Sequence, residues 1–364
     1  MSGTSLDGVD GVLVEFGALP GPAPQQRAFV HRPFAPALQA ELLALNRPGG
    51  SDELHRAALA ANALALACAE VVARLLATAG VPAEAVRAIG AHGQTLRHQP
   101  GAFDGIGYTT QLLNGALLAE RSRIDVVCDF RARDVAAGGQ GAPLVPAFHA
   151  ALFGGGTDDV AVLNIGGIAN LTLLPAAGPV RGFDTGPGNM LMDDWARRRR
   201  GEPFDRDGAW AAGGRVDAAL LARCLTEPYF ARRPPKSTGR DLFDAAWLDA
   251  RLAGSETPED VIATLAELTA RSAAEALTRE LPGARRLLVC GGGAFNGHLM
   301  RRLAALAAPA AVASTAKAGI APDHVEALAF AWLAQEFIEG RPGNLPAATG
   351  AAGARRLGAL YPAA

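Results

Sequence analysis

The stretch DVAVLNIGGIANLTLLP, residues 159–175, holds two β-rich runs separated by Gly166 and Gly167. Glycines at that spacing allow a tight reversal, so the stretch reads as a strand, a glycine turn and a returning strand. The N-terminus states the same theme. MSGTSLDGVD (1–10) precedes GVLVEF (11–16), an apolar run of strand length, so the opening resembles a hairpin whose turn is residues 3–10. Helical patterns stand between further strands in both halves. One runs from Ser51 or Asp52 to about Thr78, with Gly80 and Pro82 as stop signals. Another starts at Thr257-Pro258-Glu259-Asp260, a cap, a first-turn proline and two acids facing the helix dipole, and reaches about Leu281. A third spans Pro322 or Asp323 to about Glu339. RIDVVCDF (123–130) and RRLLVC (285–290) read as buried strands. Strands alternating with helices twice over predict an α/β fold with two similar lobes around a cleft.

Composition limits the function classes. The chain has 364 residues, 49% hydrophobic and 19% charged, enough to bury substantial cores in two domains. A formal charge of −2 gives no general attraction to nucleic acid or anionic membrane, and no basic stripe with interleaved aromatics is visible. Cys68, Cys128, Cys224 and Cys290 lack the paired spacing of a zinc or redox site, which fits a reducing cytoplasm. No charged-then-apolar leader opens the chain, and the alanine-rich segment 57–80 carries Glu70 and Arg74, so it reads as a packed helix. Only Lys236 and Lys317 are lysines among 34 basic side chains.

GFDTGPGN (182–189) concentrates the chemistry. It sets the carboxylate of Asp184 beside a bend of glycine and proline and then enters a helix at Asn189, where backbone N–H groups can face an anion. Asp184 serves there either as a base or as a turn-satisfying acceptor, and Asn189 either as a ligand contact or as a cap. GTSLDGVD (3–10) supplies Gly3 and Gly8 for close backbone approach, the hydroxyls of Thr4 and Ser5, and Asp7 and Asp10, which can hold Mg²⁺ through water. Without GxxxxGK[ST] it is not a P-loop, and a polar hairpin turn fits it equally well. CGGGAFN (290–296) lets a backbone pass close under a ligand or close against a neighbouring strand. His92 and Gln94 in GAHGQTLRH suit polar substrate contacts better than a metal. Arg131 in DFRARDVAAGGQGAP can clamp a carboxylate in bidentate fashion or serve a salt-bridged loop. PPKSTGRDLF, with Lys236 and Arg240, suits a phosphate contact or a solvated loop. Glu326, amid apolar neighbours, is a sugar-hydroxyl acceptor if it faces a cleft and a helix-dipole partner if it faces water.

In this order, GTSLDGVD, GAHGQTLRH, DFRARDVAAGGQGAPLVPAFH, LNIGGIANLT, GFDTGPGN, PPKSTGRDLF, CGGGAFN and DHVEALAFAWLA resemble the anhydro-N-acetylmuramic acid kinase family over nearly the whole chain. The resemblance implies two ribonuclease-H-like lobes of the actin/hexokinase type around an interlobe cleft. The first covers residues 1–135, with 345–364 returning to it, and the second covers 136–344. It implies ATP contacts at Gly3, Thr4, Ser5, Leu6, Asp7, Gly8, Val9 and Asp10, at Gly166, Gly167 and Asn170, and at Gly291, Gly292, Gly293 and Asn296. Mg²⁺ is expected near Asp7 through water. Asp184 matches the family's catalytic base, and Glu326 an acid that helps hold the sugar, with His92, Gln94, Arg131 and Asn189 as further substrate contacts. Family members usually have several more residues completing a strand before the first motif, whereas here Met1 nearly abuts Gly3, so a trimmed start or a short first strand is expected.

The substrate so implied, 1,6-anhydro-N-acetylmuramic acid, has no free 6-hydroxyl, so ring opening must accompany phosphoryl transfer. The resemblance further implies a homodimer working in cytoplasmic recycling of cell-wall sugars. Two rival readings stay open at this point. One is a kinase of the same fold acting on an ordinary sugar hydroxyl. The other is an actin-like nucleotide switch without catalysis of its own.

Overall fold

The computed structural model describes residues 1–3, 6–17, 24–239 and 242–364; Thr4, Ser5 and Arg240 of the motifs above lie outside the described residues. The strands are β1 (Gly8–Glu15), β2 (Gln25–Pro33), β3 (Ile89–Gly90), β4 (Gln94–Pro100), β5 (Gly107–Leu112), β6 (Val126–Cys128), β7 (Val160–Ile165), β8 (Ile168–Leu174), β9 (Arg181–Pro187), β10 (Arg286–Cys290), β11 (Ala311–Ser314) and β12 (Ala359–Tyr361). The chain divides into two compact units, Met1–Leu152 with Glu326–Ala364, and Phe153–Val325.

The second unit is built on one five-stranded sheet in the order β11-β10-β7-β8-β9. β7, β8 and β9 form an antiparallel meander, whereas β10 lies parallel to β7 and β11 parallel to β10. That mixture is the ribonuclease-H-like arrangement that the family resemblance implies. β7 is buried at every position because neighbouring strands occupy both its edges and the second unit's core covers it. The Pro258–Glu280 helix starts as its sequence dictates, with the Thr257 hydroxyl accepting the Asp260 amide and Pro258 in the first turn. It is buried along most of its length against Leu171, Phe183 and Val289 of the sheet. Each large side chain so buried contributes about 1.5–3 kcal/mol. The same helix carries Glu267, which is buried. Desolvation opposes its charge, but hydrogen bonds from Arg302 and Arg271 prevail and hold its carboxyl below the usual range.

The first unit has related parts in shorter pieces. β1 and β2 pair antiparallel, β3 and β6 pair parallel, β12 adds antiparallel to β6, and β4 and β5 form a separate hairpin. The strands expected around residues 87–90 and 123–130 are therefore brief. β3 is an edge with a partner on one side only, so little ladder sustains it. The Glu53–Ala79 helix is apolar and long enough to cross a membrane by length and composition. Here its side bearing Leu64, Val71 and Leu75 packs into the core against β1. The approach is close: a Cβ on Gly11 would lie 2.4 Å from Val71 Cγ1. Gly80 ends that helix in the left-handed region at φ 65°. On β3, a Cβ at Gly90 would fall 2.0 Å from the Phe330 carbonyl of the Val325–Ile338 helix.

Asp134 ties the returning C-terminal segment to this unit. Fully buried, its Oδ2 accepts the Gly141 amide at 2.8 Å, while Oδ1 accepts from Asn344 Nδ2 at 2.7 Å and from Thr349 Oγ1 at 2.8 Å. Removing the carboxylate strands three donors in the interior. An Asp134→Ala protein is expected to lose about 3 kcal/mol or more of stability, read as a lower urea midpoint with unchanged slope.

Candidate active site

Asp184 lies on β9 one residue before an irregularity in the ladder. Asn170 stands opposite Asp184 and Ala169 opposite Gly186, so Thr185 is a bulged residue, and its hydroxyl donates to the Ala169 carbonyl. Gly186 has φ 150°, and a Cβ there would meet the Phe230 ring at 2.7 Å, so glycine is required at the bend. A second segment fixes the aspartate. The Thr238 amide donates to Asp184 Oδ2 at 2.9 Å, the Asp184 amide donates to the Lys236 carbonyl at 3.2 Å, and the Tyr229 hydroxyl donates to the Asp184 carbonyl at 2.8 Å. Lys236 Nζ donates to the Tyr229 carbonyl at 3.2 Å and sits 4.5 Å from the centre of the Tyr229 ring.

Burial pushes the Asp184 carboxyl up to about 6, against the Thr238 amide and the Lys236 charge, which pull it down. Burial also brings Lys236 down to about 8, helped by Arg279 and opposed by Glu280 and Asp184. PPKSTGRDLF therefore performs a task that neither reading of its sequence anticipated: its backbone holds Asp184. Tyr229 carried no signal in the sequence, since its hydroxyl reaches Asp184 across 45 residues.

Near β9, the glycine turns come together. The Asn189 amide donates to the Gly166 carbonyl at 2.8 Å and the Gly188 amide to the Gly167 carbonyl at 2.9 Å, while Asn189 Nδ2 donates to the Ile165 carbonyl at 3.1 Å. Gly291, at φ 77°, passes so near β7 that a Cβ would lie 2.4 Å from Asn164 Oδ1. Gly293 closes on Ile165, and Gly292 lies beside Asn189. Gly166, Gly167, Asn189 and Gly291, Gly292 and Gly293 are thus packed close together within the second unit. Asn170 is on the neighbouring strand opposite Asp184. Asn296 caps the Gly297–Leu306 helix by accepting the Leu299 amide at 2.9 Å.

The first unit gathers the other predicted contacts. His92 is buried, with Nδ1 at 2.8 Å from the Gly93 carbonyl and 3.2 Å from that of Ser2. Two carbonyls at Nδ1 place the ring proton there, which leaves Nε2 to accept from Arg131 Nε at 3.0 Å. Burial, then the Arg131 charge, hold His92 well below its usual value, so the ring stays neutral. Arg131 Nη1 donates to the Gly141 carbonyl at 2.8 Å. Burial lowers Arg131 to about 10 against the opposing charges of Glu326 and Asp134. Gln94 is buried, donating to the Gly3 carbonyl at 3.2 Å and accepting from the Ser2 hydroxyl.

Within the 3–10 motif, Leu6 and Val9 are buried in the core, so only their backbones can serve a ligand. Asp10 pairs with His31 at 2.7 Å. Gly8 is irreplaceable for space, because a Cβ would lie 2.3 Å from the Arg32 carbonyl. Asp7 is exposed. Among the described residues no three His, Cys, Asp or Glu side chains form a metal-binding group. A single exposed carboxylate on a glycine-flanked loop fits Mg²⁺, an ion that keeps most of its waters and takes one or two carboxylates beside substrate phosphates.

Comparison with known proteins finds relatives along the whole chain. The family model described as anhydro-N-acetylmuramic acid kinase matches residues 1–363. The anhydro-N-acetylmuramic acid kinase of Cupriavidus pinatubonensis is 57% identical over 367 residues, covering 100% of this chain and 97% of that protein. Its counterpart in Bordetella petrii is 58% identical over 368 residues, covering 100% and 95%. Among solved structures, the activator of 2-hydroxyisocaproyl-CoA dehydratase from Clostridium difficile aligns with a TM-score of 0.43 at 11% identity, covering 91% of this chain and 98% of that one. The ROK hexokinase of Thermus thermophilus aligns with a TM-score of 0.34 at 16% identity, covering 90% and 100%. With more than half its residues shared with these kinases along its whole length, the chain is a sugar kinase and belongs to the anhydro-N-acetylmuramic acid kinase family.

Proposed function

We infer that the chain opens the internal ether of 1,6-anhydro-N-acetylmuramic acid with water and transfers the γ-phosphoryl of ATP to the liberated 6-oxygen, giving N-acetylmuramic acid 6-phosphate and ADP. Asp184 is the base. It takes a proton from water as that water bonds to the anomeric carbon. The bond from that carbon to the bridging oxygen breaks, and the 6-oxygen bonds to the γ-phosphorus as ADP leaves. The observation carrying this reading is the Asp184 carboxyl, set at about 6 beside a β-bulge and held through Oδ2 by a backbone amide. At pH 7 such a group is about nine-tenths ionised and yet a stronger base than an ordinary aspartate by about two pKa units.

Arg131, oriented through His92, is suited to a substrate carboxylate, and Glu326 and Gln94 to sugar hydroxyls or the acetamido group. The glycines packed around Gly166 and Gly291 offer bare backbone to the nucleotide. Asp7 would hold Mg²⁺ through water, and the ion, when bound, would neutralise charge on the phosphates. The family resemblance also suggests a homodimer and a place in cytoplasmic cell-wall recycling.

Replacing the base alone separates its role from binding. Asp184→Asn is expected to lower kcat about 10²- to 10⁴-fold, with nucleotide affinity retained in calorimetric titration. Normal turnover would remove Asp184 from the mechanism. The same variant has a stability signature with a definite sign. A carboxyl whose folded pKa is raised binds its proton more tightly in the native state, so ionising it weakens the fold between about pH 4 and 6 and the full penalty stands above that. Asp184→Asn should therefore be more stable than the parent at pH 8, by on the order of 1–3 kcal/mol in urea titrations, with the difference vanishing below about pH 4. In the parent, kcat/KM should fall as pH drops through about 6. Turnover in ¹⁸O-water should place label at the anomeric hydroxyl; label in phosphate instead would mean simple ATP hydrolysis.

A further inference from the structure

Beyond its own sheet, Asp184 is held among the described residues by three groups, and all three come from the one segment 229–238. The Tyr229 hydroxyl donates to its carbonyl, the Lys236 carbonyl accepts its amide, and the Thr238 amide donates to Oδ2. One end of the segment is anchored. The Tyr229 ring is buried and meets Phe243 edge-on, with 5.8 Å between ring centres, inside the second unit's core. The other end has no such anchor: Ser237 is exposed, and Lys236, Thr238 and Gly239 are half-buried. A stretch with few buried apolar contacts opens readily, so the backbone at 236 and 238 needs another tie if its two hydrogen bonds to Asp184 are to persist.

The Lys236 side chain supplies a tie of that kind. Its Nζ reaches back along the chain, donating to the Tyr229 carbonyl at 3.2 Å and the Phe230 carbonyl at 3.5 Å. These carbonyls lie in the last turn of the Pro228–Ala231 helix, where a lysine can complete carbonyls that the helix leaves unpaired. The ammonium also sits 4.5 Å from the centre of the Tyr229 ring, whose face attracts a cation. An ammonium has three N–H bonds, and two are engaged with carbonyls, which leaves little for the phosphate contact that the sequence admits. Asp184 and Glu280 surround it on the acidic side, Arg279 and Arg232 on the basic side. Glu280 is already paired with Arg181 Nη1 at 2.9 Å and Arg279 Nε at 3.2 Å. For Asp184 the cation acting among the described residues is Lys236.

We propose that Lys236 is a positioning residue, whose ammonium closes the segment 229–238 into a collar that aims the Asp184 carboxylate and favours its ionised form, without itself touching sugar or nucleotide. The collar has two functions that can be separated. Its hydrogen bonds to the Tyr229 and Phe230 carbonyls fix where the backbone at 236 and 238 stands, and so where the Asp184 oxygens point. Its charge acts on the carboxylate through space and opposes the effect of burial. The role in turnover rests on Asp184 being the base; the effect on the Asp184 proton does not.

The test follows the proton and the turnover separately. Carboxyl ¹³C NMR of aspartate-labelled protein, with Asp184→Asn as the blank, reads the Asp184 titration directly, and steady-state kinetics at pH 8 read the reaction. In Lys236→Met the titration midpoint is expected to rise by about 0.5–1 pH unit. Its kcat should fall about ten- to a hundredfold, with KM for sugar and for ATP within about twofold of the parent. Lys236→Gln, a donor without charge, should raise the midpoint as much and lose less kcat, and it carries the test should the methionine variant not fold. Lys236→Arg keeps the charge and should keep the parental midpoint. An unmoved midpoint in the neutral variants overturns the proposal, as does an equal rise in Lys236→Arg. So does a rise of about tenfold in KM for ATP at unchanged kcat, which would put the ammonium on a phosphate. Normal turnover of Asp184→Asn would sink the base assignment instead, and the NMR midpoints would still decide what Lys236 does to Asp184.

Discussion

The hydrogen bond from the Thr238 amide to Asp184 sets the terms for the candidate site. Burial by itself favours the neutral carboxyl, and a neutral acid is no base. A fixed backbone dipole, with Lys236 behind it, restores enough of the charged form for Asp184 to ionise near neutrality while keeping it more basic than in water. The geometry is over-determined. Amide and carbonyl of Asp184 are both engaged, by Lys236 and Tyr229, so the side chain is aimed from a backbone with little freedom to swing. Gly186 and the bulge at Thr185 supply the local bend, and the core behind β9 resists its relaxation.

Much of this was legible in the chain. Gly166-Gly167 announced the reversal between β7 and β8, GFDTGPGN announced a carboxylate at a bend, and Thr257-Pro258 announced the long buried helix, because each is a local signal acting within a few residues. What stayed hidden depends on distance along the chain. Nothing near Tyr229 or Thr238 says that they meet Asp184, and nothing near Asp134 says that it is the acceptor for Asn344 and Thr349 more than 200 residues later. Asn296 caps the Gly297–Leu306 helix by accepting the Leu299 amide, a role that was not read from its motif. The expected boundaries at residues 135 and 344 and the observed division after Leu152 and Val325 differ by a helix, since contacts and not composition define the compact units.

The two units differ in how they treat similar parts. In the second, a continuous sheet lets β7 and β10 present glycine turns against one another with sub-van-der-Waals room for any Cβ, so the backbone itself becomes the surface. In the first, the strands are short, and Arg131 donates to His92 in a hydrogen bond whose polarity is fixed by the tautomer of the imidazole. A neutral ring in that position transmits orientation without adding charge.

The return of the C-terminus to the first unit has a consequence for biosynthesis. β12 pairs with β6, and Asn344 and Thr349 reach Asp134, so the earliest part of the chain to leave the ribosome lacks partners that are made last. The second unit is contiguous and can mature on emergence, as an insert within an unfinished host. Completion of the host is thereby a late, post-release event, and a nascent chain stalled before residue 344 would hold a folded interior module between two unripe ends.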